Sequence, residues 1–338
     1  MKVSTYISNK LKVVSFIGVV FVVFIHSTLL NISEFEVFDS TQVFLRSIWN
    51  SFYPLFFSIS GYLFFVGVKG EKQEFLYKYK SRFRSLVIPF IIWNVLFLAI
   101  MLLLKYNSLT GGFINSDFSD LFELNVFGWF YELFIEPFGF HLWFIRDLIV
   151  MVLFAPLIWY FINKAKLFFI GLLVFLNIYF NDLPLLGSFL PFSIGAFIAI
   201  NNFKLSLKPK SMVILFSVLS IVFGWLKVKG LTLDALEFYY AWAPFLMIWF
   251  GYDVLIEKGV CFNFIHKFRS YSFFIYVFHE PYLNIFKKLI LKMGAGQEWS
   301  IWASYLISPI ATILIAILIA MFLEKHFASI YKYCNGGR

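Results

Sequence analysis

Long apolar blocks recur from one end of this chain to the other, and they leave it few ways to fold. They lie near 13–31, 48–66, 85–104, 141–162, 167–182, 187–200, 211–227, 235–256, 271–290 and 300–323. In hydrocarbon no water is present to pair backbone N–H and C=O groups, so only helices and closed barrels can span it. Most of the blocks approach or exceed the roughly 20 residues that a helix needs to cross. They lack the short alternating segments of barrel strands. The expected fold is therefore all-α: a polytopic transmembrane helical bundle of about ten spans, forming one domain over residues 1–338. The blocks 167–182 and 187–200 are short. The aromatic, partly apolar stretch 121–140 suits a re-entrant or interfacial segment.

Composition agrees. The chain is 61% hydrophobic and 14% charged, against about 45–50% and about 25% in soluble domains. A net charge of +9 raises the possibility of a nucleic-acid partner. The cations, however, sit in short segments between apolar blocks, where they set membrane orientation instead. Twenty of the 28 Lys and Arg fall at the N-terminus, in 67–84, 163–166, 201–210 and 257–270, and in the tail. Seven fall in the alternate segments, so the first set and both chain ends are expected in the cytoplasm. Glu34, Glu36, Asp39, Asp117, Asp120 and Glu123 then gather outside. The cluster Lys287, Lys288 and Lys292 runs against the rule. Cys261 and Cys334 fall on the cytoplasmic side, where a disulfide is not expected. The first block carries His26 and lacks a small-residue cleavage site, so it reads as a retained span.

An ionisable residue inside a span costs several kcal/mol and marks a functional site by default. His26, Arg146, Asp147, His279 and Glu280 qualify. At 1.5 Å per residue, His26 lies roughly 20 Å past the cytoplasmic end of its span. Arg146 and Asp147 lie roughly 8 Å below the outer surface, and His279 roughly 13 Å from the inner one. A histidine, an arginine and a carboxylate in the outer half suit acid/base chemistry, while mutual pairing that ties helices together is the plainer alternative. No histidine pair has the spacing of a zinc site, so no metal is expected.

His141 and Trp143 open the fourth span as an aromatic-belt anchor or as contacts for an acceptor sugar. His266 and His326 sit near cytoplasmic helix ends and carry no assigned chemistry. Lys78, Lys80, Arg82 and Arg84 place four cations within seven residues at the inner face. They serve either topology and anionic lipid or a phosphorylated donor, whose oxygens match the guanidinium fork. Ser60 and Gly61 are small residues in an aromatic helix, for close packing or for the passage of a thin ligand arm.

Four stretches, in order, resemble the acyltransferase-3 family of integral membrane acyltransferases. They are LKVVSFIGVVFVVFIHS at 11–27, PLFFSISGYLF at 54–64 with RFRSLVIPF at 82–90, HLWFIRDLIVM at 141–151, and RSYSFFIYVFHEPYL at 269–283. The chain departs from the pattern at Ser15, where many members carry an arginine eleven residues before the first-span histidine. The nearest cation in sequence is Lys12, which resembles a lysine-bearing branch, and that arginine's role is not carried over.

The resemblance implies O-acyl transfer, commonly of acetyl, from cytoplasmic acyl-CoA to a hydroxyl of a cell-surface polysaccharide or lipid-linked glycan. Acyl-CoA is then a donor substrate and no cofactor is held permanently. The implied location is the bacterial cytoplasmic membrane, with the lipid bilayer and an envelope glycan as partners. Under that reading Lys78, Lys80, Arg82 and Arg84 hold the donor phosphates, and the pantetheine arm passes Ser60 and Gly61. His26 acts as base or becomes acylated, and Arg146 with Asp147 and His279 complete the site. A glycan or lipid transporter with proton-coupling residues is the alternative, although no inverted repeat is visible. A silent scaffold leaves the cost of His26 and Arg146 unexplained.

Overall fold

A computed structural model of the chain describes residues 3–29, 35–107, 121, 123–180, 183–203, 205, 210–232, 239–256 and 262–337. Cys261, Glu34, Asp117 and Asp120, together with Lys2, Lys204, Lys208, Lys258 and Arg338, lie outside the described residues. Among those described there is no strand. In chain order the helices are α1 (Thr5–His26), α2 (Glu36–Trp49), α3 (Phe52–Phe65), α4 (Lys72–Arg82) and α5 (Ile88–Tyr106). Next come α6 (Val126–Phe134), α7 (Trp143–Leu153), α8 (Ala155–Tyr179), α9 (Pro184–Ile200) and α10 (Lys210–Val228). The series ends with α11 (Trp242–Gly251), α12 (Phe262–Phe268), α13 (Ser272–Met293), α14 (Glu298–His326) and α15 (Ala328–Cys334).

Among the described residues, five stretches are long and apolar enough to cross a membrane: Thr5–His26, Lys72–Tyr106, Ala155–Tyr179, Lys210–Val228 and Glu298–His326. The other expected spans coincide with shorter or more polar helices. The block 48–66 is cut at Asn50 and Ser51, so that α2 ends where α3 is about to begin. The break expected at 163–166 is a single residue, Lys166, whose φ of +47° interrupts α8. The basic run is helical rather than loop: α4 continues through a π turn, Phe83–Val87, into α5.

Two compact units emerge: Met1–Tyr79 with Met151–Ser272, and Lys80–Val150 with Phe273–Arg338. In the first, Leu11 and Val14 of α1, Leu55 and Ile59 of α3, and Phe245, Ile248 and Trp249 of α11 form a buried apolar cluster. Helices α3 and α9 pack backbone to backbone. A Cβ on Gly61 would lie 2.1 Å from the Phe192 carbonyl oxygen, and one on Gly195 would lie 1.9 Å from that of Ser58. Close approach of this kind is the membrane use of small residues. It corrects the expectation that Gly61 leaves room for a ligand arm, because a helix already fills that space.

The first unit also contains a buried ion pair. Ser4 caps α1 by accepting from the Ile7 N–H, so the helix starts well before the block at 13–31. Lys10 is consequently helical and fully buried. Its Nζ lies 2.7 Å from Asp253 Oδ2 and 4.1 Å from the Trp249 ring centroid. The Tyr6 hydroxyl, one turn earlier, donates to the other oxygen of Asp253. Asp253 sits inside the block 235–256 and went unnoticed among its apolar neighbours.

In the second unit, Ser300, Ser304, Ser308, Thr312, Ala316 and Ala320 recur every four residues on α14, and all are buried. Gly294 meets Ser300, and Ser304 Oγ donates to the Lys287 carbonyl at 3.4 Å, so α13 and α14 run close and antiparallel there. The Trp93 indole N–H of α5 donates to the Cys334 carbonyl at 2.9 Å and ties down α15. Cys334 is a free thiol.

Two predictions follow from this packing. Gly61→Ala and Gly195→Ala should each lower stability by about 1–3 kcal/mol through overpacking, whereas Gly171→Ala, with nothing near its Cβ, should not. Thermal unfolding in detergent reads the difference. Lys10→Met should cost about 3–5 kcal/mol by stranding a buried carboxylate, and Lys10→Met with Asp253→Leu should recover most of the loss. A double variant no better than the single would show that the pair is not the source of the defect.

Candidate active site

The second unit gathers the chemistry around a proline. Pro281 lies within α13 and has no N–H, so it cannot pair with the carbonyl of Val277 four residues earlier. The residue before a proline is pushed toward extended backbone, and Glu280 has φ −104° and ψ 137°. Inside a membrane the released carbonyl needs another donor. His141 Nε2 supplies it, 3.2 Å from the Val277 oxygen. One residue earlier along the same turn, the Tyr276 carbonyl accepts from His279 Nδ1 at 2.5 Å.

These two bonds set the tautomers. A carbonyl only accepts, so the protons are on His141 Nε2 and His279 Nδ1. In the neutral rings the basic nitrogens are then His141 Nδ1 and His279 Nε2. The rings are edge to face with centroids 4.9 Å apart, and both residues are buried. Tyr276 completes the arrangement, its hydroxyl donating to the backbone carbonyl of His141 at 2.5 Å. It thereby fixes the short 3-10 turn Phe140–Leu142 that carries His141. Glu280 is 3% exposed and accepts from Asn284 Nδ2 at 2.8 Å.

Arg146 and Asp147 stand one residue apart on α7 and engage each other. Arg146 donates from Nε at 2.8 Å and from Nη2 at 2.7 Å to Asp147 Oδ1. Its Nη1 donates to the Ile135 carbonyl at 2.6 Å. Three of the five guanidinium N–H groups are thus directed at protein acceptors. Trp143 begins α7, half-buried, beside Phe144. His141 is not at a surface, as an interfacial anchor would be, but is 2% exposed.

In the first unit, His26 is the last residue of α1, half-buried, where a basic group suits the negative end of the helix dipole. The chain beyond it is held closely. Ser27 and Thr28 hydroxyls donate to the Phe24 and Ile25 carbonyls. Gln42 of α2 donates to the Leu29 carbonyl at 2.8 Å and accepts from the Leu29 N–H at 3.2 Å. Phe24 stacks on Trp49 with centroids 5.1 Å apart. Ser60 of α3 is half-buried, next to the closed-off Gly61.

The inner-face cations differ in setting. Lys78 Nζ reaches the Leu63 carbonyl at 3.4 Å and lies 5.9 Å over the Phe64 ring. Lys80 and Arg84 are exposed and Arg82 is half-buried. The turn leading into α4 is closed by Glu74, whose carboxylate accepts from the backbone N–H of Lys69, Gly70 and Glu71.

The described residues form helices, several of them long and apolar enough to cross a membrane, as in an integral membrane protein. The acyltransferase-3 family model, described as an acyltransferase domain, matches residues 10–321, and the chain belongs to that family. No curated protein and no solved structure matches it.

Sequence reading missed Tyr276 and Gln42. Both are uncharged, and neither stands out within an aromatic or polar run. The one available signal was Pro281, which marks where helix carbonyls must find other donors. Tyr276→Phe should therefore lower stability by about 1–3 kcal/mol, because it strands the buried His141 carbonyl. Thermal unfolding of the purified protein measures this, and a value near zero would show that the hydroxyl is not needed there.

Proposed function

We propose that this chain is a membrane O-acyltransferase with ten spans and both ends in the cytoplasm. It takes an acyl group, acetyl foremost, from cytoplasmic acyl-CoA and gives it to a hydroxyl of an envelope glycan or its lipid-linked precursor. The observation that carries the reading is the buried His141–His279 pair, its tautomers set by carbonyls beside Pro281, within a chain of the acyltransferase family.

In the reaction the thioester C–S bond breaks and an ester C–O bond forms. The acceptor proton passes to a base and ends on the coenzyme A thiol. His26, whose imidazole can take up and release a proton, serves as that base. His279 offers a basic Nε2 as a second proton carrier. Arg146 retains two N–H groups beyond those held by Asp147 and Ile135, and they stabilise the oxyanion as it forms. Asp147 holds the guanidinium in place for that task. Lys78, Lys80, Arg82 and Arg84 bind the donor phosphates, since arginine matches phosphate with paired hydrogen bonds. The pantetheine arm passes Ser60, and Trp143 meets the acceptor sugar.

Two measurements test this. Glycan mass in cells carrying His26→Ala should lose one acyl mass per repeat while the glycan persists, with transfer down about 10²–10⁴-fold. Full acylation by a well-expressed variant would remove His26 from the mechanism. Lipid-linked intermediates accumulating on the inner leaflet would favour the transporter. Arg82→Gln with Arg84→Gln should raise the KM for acyl-CoA about tenfold, the effect of losing about 1.4 kcal/mol. An unchanged KM would place the donor elsewhere.

A further inference from the structure

Asn94 is an uncharged residue in the apolar helix α5, fully buried, with no role in the reading above. An amide in such a place costs free energy unless both of its ends are paired. Here both are. Its Nδ2 donates to the Leu133 carbonyl at 2.9 Å, and its Oδ1 accepts from the Gly139 N–H at 3.1 Å. Neither partner is in a neighbouring helix interior. Leu133 is in the last turn of α6, and Gly139 immediately precedes the turn Phe140–Leu142. One side chain therefore grips both ends of the connection 133–139. Arg146 Nη1 holds the middle of the same connection at the Ile135 carbonyl, 2.6 Å away. Phe90, one turn before Asn94 on α5, packs against Phe134 with ring centroids 6.3 Å apart.

The consequence falls on His141. Gly139 is two residues before it, and the Leu142 N–H donates to the Gly139 carbonyl at 2.7 Å to close the turn. Asn94 fixes the N–H of Gly139 while the turn itself fixes its carbonyl. That leaves the peptide units on either side of Gly139 no freedom to rotate. His141 leaves this turn with its backbone carbonyl held by Tyr276 and its ring held by the Val277 carbonyl. Remove the amide and the turn keeps only its far-side restraints.

We propose that Asn94 is a positioning residue: it clamps the 133–139 connection so that His141 meets the Val277 carbonyl and stands against His279. The proposal rests on the acyl-transfer reading. It assigns Asn94 no contact with donor or acceptor, so the effect belongs in kcat rather than in either KM.

The test uses the purified full chain with acyl-CoA and a soluble acceptor sugar, comparing wild type, Asn94→Leu, His141→Asn and the double variant. Asn94→Leu keeps the branched shape and removes both bonds, and Asn94→Ser provides a smaller variant should leucine prevent folding. The expected result is a kcat lowered about 10–100-fold, with the KM for acyl-CoA within about twofold. Backbone hydrogen exchange across 133–140 should be at least about tenfold faster, since the Gly139 N–H has lost its acceptor. The double variant should be no slower than His141→Asn alone, because residues that act through one another are not additive.

Multiplying defects in the double variant, or a normal kcat with a loosened connection, would overturn the positioning role. Unchanged exchange would overturn the clamp itself. The exchange measurement needs no turnover. If wild type transferred no acyl group, the acyl-transfer reading would fall while the clamp was still decided.

Discussion

A backbone carbonyl that loses its helical partner inside a membrane has no water to turn to, and the second unit is organised around that constraint. Pro281 removes the N–H that Val277 requires, and Glu280 before it leaves the helical conformation. The deficit would be costly if left unmet. It is met instead by His141, and the bond that repairs the backbone also chooses which ring nitrogen carries the proton. One hydrogen bond thus satisfies the backbone and orients the ring. A helix without the proline would have kept its carbonyls to itself and left both histidines to find partners elsewhere.

The same rule accounts for what a first reading of the chain could and could not see. Charges inside apolar blocks are conspicuous, so His26, Arg146, Asp147, His279 and Glu280 stood out on cost alone. Uncharged polar residues are cheaper to bury and common in spans, so Asn94, Tyr276 and Gln42 gave no comparable signal. Their importance lies in partners 39, 135 and 13 positions away, which no local pattern records. The helical class was legible because block length and backbone satisfaction both demand it. Where helices begin and end was less so. Ser4 starts α1 early enough to carry Lys10 inside, and Asn50 with Ser51 divides a block that reads as continuous. At Gly61, for which close packing and room for a ligand arm were both open, a neighbouring backbone occupies the space.

Lys10 and Asp253 also bear on the missing arginine of the first span. The position that many family members fill with arginine is Ser15, and Lys12 nearby is exposed. The buried cation on α1 is Lys10, and it is committed to Asp253, Tyr6 and the Trp249 ring. A cation so engaged is poorly suited to meet a donor. Its value is in register: an ion pair buried in an apolar cluster tolerates neither a slide nor a rotation of α1 without stranding a charge. The far end of that same helix bears His26, held in turn by Gln42 and Trp49 through the residues around it. The helix is thus anchored at both ends.

These anchors differ in kind for a physical reason. Near the first-unit core, where α1 must hold one depth, an ion pair gives a steep penalty for error but demands full desolvation of two charges. Around the histidines the task is finer, since His141 must meet one carbonyl at 3.2 Å while its ring lies 4.9 Å from that of His279. Additional formal charges there would compete with the protons that the rings carry. Neutral amides and hydroxyls hold geometry without that competition. Asn94 and Tyr276 are such groups, and Arg146, a cation that grips the same connection, is paired with Asp147 directly beside it. The two rings are kept in place here mainly by neutral amide and hydroxyl groups.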